Sequence, residues 1–353
     1  IHLVTIGGLT QAVFGALPSL LTAGTEPSRG TATGRRWLQW LSLNAGYPLL
    51  LLGMATGTTV VAVTGATFVL GALGLLLSTV FRTNMRATDR RISRYYRLAP
   101  WFLVVGILAA FGMLLGVHGP GGYIGSLEAH VHANAWGFLA FVVAGTLLTV
   151  LPALLATELR YPRLVSVTFW AMAIGVVGLV AGPWLGHNEV TVVGLGSYAI
   201  GTGTLLANVV GTHRSSDRSH PRRIALVLGA YLWLAFPVPW APLVLLAPEI
   251  VPAGAIEIAA INGLVFGWML QLAMAFLPVV VAAFARSGAA HGVVETVAAV
   301  TAEHPQPSWT QIGSVNLGML ALWLTPVPFV DGDAATMTIT GFALIAVAWT
   351  MFL

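Results

Sequence analysis

Long apolar runs alternate with short polar segments along the chain. An α-helix needs about 20 mainly apolar residues to cross the hydrocarbon core of a bilayer. The pattern predicts about eleven such spans. They lie near residues 2–23, 37–56, 58–81, 98–118, 129–157, 163–186, 189–212, 223–247, 256–285, 308–326 and 334–353. Only a break at Gly57 separates the second span from the third.

The positively charged residues test this count. All 16 are arginine, and they lie only in the first, third, fifth, seventh and ninth connections, at 29–36, 82–97, 160–163, 214–223 and 286. Positive residues favour the cytoplasmic side of a membrane. These connections are therefore predicted to be cytoplasmic, and residue 1 to lie outside. We accordingly expect one further helix before residue 1 and twelve helices in the complete protein.

Composition agrees with a membrane fold. Hydrophobic residues make up 57% of the 353 residues and charged residues only 8%, against about a quarter in a soluble domain. The predicted fold class is an all-α, polytopic membrane helix bundle, with residues 1–353 in a single transmembrane domain, in the plasma membrane of a prokaryote. Its predicted partner is the lipid bilayer. The cytoplasmic connections account for the arginines, so no nucleic-acid partner is predicted. The absence of cysteine excludes disulfides and thiolate metal sites.

Three of the predicted helices share an ending. Leu-Pro pairs at Pro18, Pro152 and Pro278 close long apolar runs, 134 and 126 residues apart, or four predicted helices each time. This spacing predicts three pseudo-repeated groups of four helices, starting near residues 1, 129 and 256. The alternative is chance, since Leu-Pro is common at the ends of membrane helices. Internal repeats usually place a functional site where they meet.

Five of the nine histidines fall at the outer ends of predicted helices, and the other four fall in cytoplasmic connections. The outer five are His2, His118, His130, His132 and His187. Neutral imidazole is the commonest ligand for metals, and ionisable residues within membranes mark functional sites by default. The pattern predicts a ligand cluster on the outer side. The alternative is a set of interfacial histidines bonded to loop carbonyls.

The most specific segment runs from Glu128 to Phe138 and contains a His-x-His pair. On a helix, residues two apart point about 200° away from each other. His130 and His132 are therefore predicted to serve two neighbouring sites, one on each side of the helix. Gly137 leaves room beside the backbone for a flat macrocycle or for another helix.

This segment resembles the haem-copper oxidase superfamily, which includes cytochrome oxidases and nitric oxide reductases. The resemblance lies in the His-x-His pair, in Gly137 five residues after it and in the Leu-Pro pair that ends at Pro152. In that family the pattern marks a helix that ligates two haems, one on each face. His2 resembles the histidine that supplies the other axial ligand of the low-spin haem. Twelve helices in three arcs are also the family's architecture.

The resemblance implies haem and copper as cofactors. It implies that His2 and His132 hold one haem, with Gly137 beside it, and that His130 faces a second metal or haem. The residues implied for a metal are His118, His130 and His187. Such a site implies electron transfer or the chemistry of O2 or NO near the outer face.

The resemblance also implies an electron donor on the outer side, a cupredoxin or a cytochrome, and other membrane subunits. The sequence departs from the family in several respects, among them that the helix counted as the tenth has no histidine and that no His-Tyr pair is found. Its His-x-His pair lies on the helix counted as the sixth rather than the tenth, and the paired histidines that hold copper in the family have no match in 163–186. We expect a divergent member, of oxidoreductase type if it is an enzyme, whose oxygen-reducing copper site is incomplete.

Two alternatives use the same observations. The first is a secondary transporter or metal permease, which the repeats and the helices interrupted by glycine and proline would fit. The second is a cofactor-free anchor subunit of a larger complex, with interfacial histidines. Of the three, only the haem protein would show a Soret band, so a visible spectrum separates it from both alternatives.

Overall fold

The computed structural model describes residues 2, 5–21, 33–82, 90–286, 296–297, 299–301, 304–325 and 333–353. Over these residues the chain forms helices and no strand. The α-helices are α1 (Gln11–Leu21), α2 (Thr33–Thr56), α3 (Thr59–Arg82), α4 (Arg90–Leu115), α5 (Gly122–His132), α6 (Ala140–Leu155), α7 (Leu164–Leu185), α8 (Asn188–Arg214), α9 (Pro221–Ala235), α10 (Ala241–Leu246), α11 (Ala253–Asn262), α12 (Leu270–Arg286), α13 (Trp309–Leu324) and α14 (Ala334–Thr350).

Three π-helical segments adjoin these helices. They are π1 (Thr5–Thr10) before α1, π2 (Ala133–Leu139) between α5 and α6, and π3 (Gly263–Met269) between α11 and α12. Within the described ranges, π-helix is confined to these places, and α1, α6 and α12 are the helices that contain the Leu-Pro pairs. The threefold repeat itself stays a prediction, and its first residue lies outside the described part of the chain.

In the part of the chain that the structure describes, six helices are long and apolar enough to cross a membrane. They are Thr59–Arg82, Arg90–Leu115, Gly122–Leu155, Leu164–Leu185, Asn188–Arg214 and Ala253–Ala283. Large apolar side chains such as Ile174 and Val193 are exposed on them, as expected where lipid is the solvent. The predicted all-α class is confirmed over these residues, and the six long apolar helices are consistent with a membrane helix bundle. The count of eleven spans stays a prediction.

The break predicted at Gly57 is where α2 ends and α3 begins. Gly57 has a φ of 66°, a left-handed conformation that glycine adopts without a steric penalty. After this turn α3 packs back against α2. The two helices approach closely because Gly53 has no side chain where it meets the backbone of Ala62.

The span predicted at 223–247 is longer than the helix in the structure. Helix α9 ends at Ala235, and the short helix α10 begins only at Ala241. Pro237 and Pro239 lie between them. A proline has no N–H to donate and its ring clashes with the preceding turn, so the apolar run continues while the helix does not.

The chain divides into two compact units. The first comprises the described residues within Ile1–Ala153, Tyr161–Val209 and Ser287–Thr296, and the second those within Leu154–Arg160, Val210–Arg286 and Val297–Leu353. In the first unit α5 and π2 pack against α4 and α7. In the second, α9 packs against π3, α12 and α13, and α13 packs against α14.

A buried polar cluster joins three helices of the second unit. The indole Nε1 of Trp233 in α9 donates to Asn316 Oδ1 in α13 at 2.7 Å, and Asn316 Nδ2 donates to Gln271 Oε1 in α12 at 3.2 Å. Gln271 is fully buried. Each polar side chain in this apolar setting thus has a partner, which is how polar residues hold membrane helices together.

Candidate functional site

His130, in the last turn of α5, is held by the neighbouring helix α4. Its Nδ1 lies 2.8 Å from the carbonyl oxygen of Gly106. A carbonyl oxygen only accepts hydrogen bonds, so Nδ1 carries the proton in the neutral ring. The Nε2 atom then keeps its lone pair, and Asn134 Nδ2 lies 3.4 Å from it. This is the tautomer that binds a metal through Nε2 while a backbone carbonyl orients the ring.

Asn134 lies one turn after His130, in π2, and completes this contact with α4. Its Nδ2 donates to the carbonyl oxygen of His130 at 2.8 Å and lies 3.2 Å from the His130 Nδ1. The amide fits because Gly106 has no side chain where Asn134 meets α4. Asn134 and Gly106 therefore fix the position of the His130 ring together.

His2 is the histidine that the structure brings to His130. The two ring centroids are 6.2 Å apart and the rings are inclined at 45°. A metal ion binds an imidazole nitrogen at about 2 Å, which is about 3 Å from the ring centre. Two imidazoles on opposite sides of one metal are then about 6 Å apart between centres. The observed separation is therefore compatible with both imidazoles holding one haem iron, were haem to bind.

His132 points to a different neighbour, as the helical geometry predicts. Its ring lies against the backbone of Leu179 in α7, whereas His130 faces α4. Its Nδ1 is buried and has no hydrogen-bond partner. The pairing of His2 with His132 that the resemblance implies differs from the arrangement observed. Since the two rings point away from each other, only one of them can face His2, and the structure places His130 there.

Gly137 lies in π2, and the position beside it is filled. A Cβ at Gly137 would lie 2.5 Å from the Cβ of Phe102 in α4. Of the two neighbours considered for this glycine, a macrocycle and another helix, the structure supplies the helix. Gly137 thus serves the packing of π2 on α4.

His118 and His187 are both exposed and lie at one end of the first unit. The His118 ring packs edge-on against Tyr123, with the ring centres 5.6 Å apart. The His187 Nδ1 lies 2.9 Å from Glu189 Oε1, and its side chain is 59% exposed. Their loops meet, because the Gly121 N–H donates to the Trp184 carbonyl oxygen.

These loop contacts do not assemble a metal site. No group of three or more histidine, aspartate or glutamate side chains that could hold a metal ion occurs among the residues placed by the structure. That His118 and His187 help to bind a metal therefore stays a prediction, and no contact in the described residues supports it. A haem iron needs fewer side chains, because the porphyrin supplies four nitrogens.

Sequence reasoning missed Gly106 and Asn134. The signal for Asn134 was present, since it follows His130 by four residues and so lies on the same face of a helix. Nothing in the sequence marked Gly106, because it contributes a backbone oxygen and the absence of a side chain, both to residues on a different helix.

Comparison with known proteins identified no relative of this chain. The resemblance to the haem-copper oxidases therefore rests on the histidine, glycine and Leu-Pro pattern alone. No family model and no curated protein matches the chain.

Proposed function

We propose that this chain is a haem-binding integral membrane protein in which His2 and His130 hold the iron. The observation that supports this most directly is the 6.2 Å separation of their ring centroids. Two imidazoles at that separation would be able to hold one haem iron, which would then need no further side-chain ligand. A bound haem would supply one-electron transfer or the binding of a small gas such as O2 or NO.

The surrounding residues prepare His130 for this role. The Gly106 carbonyl accepts from Nδ1, fixes the tautomer and makes Nε2 more basic. Asn134 donates to the His130 backbone and restricts movement of the helix turn that carries the ring. Both contacts orient the ligand before any cofactor enters.

The proposal includes a second metal on the other side of α5. His132 faces that side, and its buried Nδ1 has no hydrogen-bond partner. His118 and His187 would have to move toward it to complete a copper site. We assign His132 to a second haem or to copper, with electrons delivered from the outer side of a prokaryotic plasma membrane.

The test is a visible spectrum of the purified chain, oxidised and reduced, with its iron and copper content. We expect a Soret band, sharp bands on reduction and iron in proportion to protein. His2→Ala and His130→Ala should each remove the low-spin spectrum. His118→Ala is the matched control for the low-spin haem, because His118 is an exposed histidine whose ring packs against Tyr123, and this variant should keep the low-spin spectrum.

Two results would contradict the assignment. If His132→Ala removed the low-spin spectrum and His130→Ala left it unchanged, the axial ligand would be His132, as the family resemblance implies. A colourless protein free of iron would reject the haem proposal and favour a transporter or an anchor subunit.

A further inference from the structure

Helix α4 has one exposed face whose chemistry changes along its length. The residues on it follow one another at spacings of three or four, which places them on the same side of a helix; they are Arg94, Arg97, Trp101, Val105 and Leu108. The tryptophan, valine and leucine side chains are 49%, 41% and 54% exposed. The face therefore passes from two positive charges, through an aromatic ring, to aliphatic side chains.

Arg94, at the basic end of this face, is held in place by α7. Its Nη2 donates to the Ser166 hydroxyl at 3.0 Å, and its guanidinium carbon lies 4.8 Å from the centre of the Phe169 ring. The next residue, Tyr95, donates from its hydroxyl to the Val165 carbonyl oxygen at 2.7 Å. These contacts join the starts of α4 and α7 and fix the position of the Arg94 guanidinium group.

Both arginines keep N–H donors that reach the surface. Their Nε atoms are buried, but the side chains as a whole are partly exposed. The Nη1 of Arg94 and both terminal nitrogens of Arg97 are neither buried nor hydrogen-bonded to any residue that the structure describes. The Ser166 hydroxyl accepts from Arg94 and has its own hydrogen to donate. Accessible donors from α4 and α7 therefore lie side by side.

Negative charge in the first unit lies toward its other end. The carboxylates that the structure describes in this unit are Glu128, in α5, and Glu189, which is bonded to His187. Both belong to the end where the loops of His118 and His187 meet. The arginine end is therefore complementary to an anion from outside the described part of the unit.

We propose that an anionic phospholipid binds lengthwise on this face of α4, with its phosphate group at Arg94 and Arg97. Guanidinium groups bind phosphate oxygens through pairs of N–H donors. Trp101 lies about 10 Å further along the axis and Leu108 about 20 Å. One leaflet of hydrocarbon is about 15 Å thick, so a headgroup and its acyl chains span the same distance as the face.

The apolar part of the face selects a lipid among the possible anions. A free phosphate or an acidic peptide would neutralise the arginines but leave the exposed Val105 and Leu108 uncovered. A zwitterionic lipid would bring a second positive charge beside the arginines. The arginine distribution predicts that this end is cytoplasmic, and anionic lipids of that leaflet attract basic side chains. The proposal does not depend on the presence of haem.

The test uses the full chain, purified in detergent and freed of lipid. An equimolar mixture of phosphatidylglycerol and phosphatidylcholine is added, and native mass spectrometry counts the molecules of each lipid that stay bound. The main variant is Arg94→Gln combined with Arg97→Gln. Arg97→Gln alone is the second variant, because Arg97 makes no described hydrogen bond whose loss could disturb the fold.

The matched control is Arg36→Gln combined with Arg214→Gln, which removes two exposed arginines from the same predicted side of the membrane. We expect the unchanged chain and the control to prefer phosphatidylglycerol. The double variant should bind that lipid about thirtyfold more weakly, and Arg97→Gln about fivefold more weakly.

Three results would overturn the proposal. The first is equal binding of the two lipids by the unchanged chain. The second is an equal loss of phosphatidylglycerol in the main variant and in the control, which would show a general effect of net charge. The third is unchanged binding by both Arg97 variants, which would place the lipid elsewhere or leave the face to a partner subunit.

Discussion

Gly106 and Asn134 meet so closely that a side chain on the glycine has no room. A Cβ at Gly106 would lie 2.5 Å from Asn134 Oδ1 and 2.7 Å from Asn134 Nδ2. The same glycine offers its carbonyl oxygen to the His130 Nδ1. One residue therefore sets both the distance between α4 and π2 and the orientation of the candidate ligand.

We expect Gly106→Ala to disturb the His130 site. The added methyl group must displace the Asn134 amide, at a cost of about 1–3 kcal/mol for an overfilled interior. Thermal unfolding of the detergent-solubilised protein would measure the loss, and the haem spectrum would report on His130. Gly71→Ala is the matched control, since nothing lies within 4 Å of a Cβ there, and it should leave stability unchanged or slightly raised. Equal effects of the two substitutions would contradict this account.

Asn316→Leu should destabilise the second unit. The substitution removes the acceptor of the Trp233 indole and the donor to Gln271, which leaves buried polar groups unpaired at about 1–3 kcal/mol each. Chemical or thermal unfolding followed by tryptophan fluorescence would measure the change. Asn44→Leu serves as control, because the Asn44 side chain donates only to the Trp40 carbonyl in its own helix. An effect no larger than that of the control would show that the cluster contributes no stability.

Gly178→Val should separate α7 from α8. A Cβ at Gly178 would lie 2.6 Å from the Gly194 Cα, so the two helices cannot keep their present distance. Because Leu179, which faces His132, is the next residue, any cofactor signal that depends on His132 should change as well. Gly196→Val is the comparison on α8, where a Cβ meets nothing within 4 Å. Limited proteolysis and thermal unfolding would distinguish the variants, and a Gly178 variant as stable as the Gly196 variant would refute the close approach.

The stability of the first turn of α14 should depend on pH through the Asp333 carboxylate. Its carboxylate accepts from the Thr336 hydroxyl at 2.7 Å and from the Ala335 N–H at 3.0 Å. These two bonds, the hydroxyl first, hold the pKa of Asp333 below its ordinary value. A lowered folded-state pKa means that the stabilisation is present above the unfolded value, about 3.9, and is lost as pH falls through the folded value.

Hydrogen exchange in the first turn of α14, corrected for the intrinsic pH dependence, would measure this effect. Protection should fall toward acid in the unchanged chain. In Asp333→Asn, which caps a helix without ionising, protection should not vary with pH. A pH dependence that persists in the Asn variant would assign the effect to another group.

The sequence predicted some features of the site because helical geometry alone determines them. Residues two apart on a helix must diverge, and His130 and His132 do face α4 and α7 respectively. The break between the helices at Gly57 was likewise predicted from the sequence, because only a turn fits between two apolar runs separated by one residue.

Other features depend on tertiary contacts that no local pattern encodes. Whether His2 meets His130 or His132 depends on which side of α5 it approaches, and sequence spacing does not carry that information. The extent of the span at 223–247 was wrong because hydrophobicity continues through Pro237 and Pro239 while backbone hydrogen bonding does not. Gly106 acts through its backbone oxygen and through the absence of a side chain against Asn134. Both effects depend on which helix packs beside it, which the sequence does not show.

The π2 segment also determines the rotation of α5 relative to α6 about their common axis. Each residue turns an α-helix by about 100°, and a π segment behaves as one residue added to a regular helix. Without that residue, His130 and His132 would be rotated by about 100° relative to the Leu-Pro end at Pro152. Neither imidazole would then face the neighbour it has now, so a one-residue deletion within Ala133–Leu139 would redirect both rings while leaving every histidine in place.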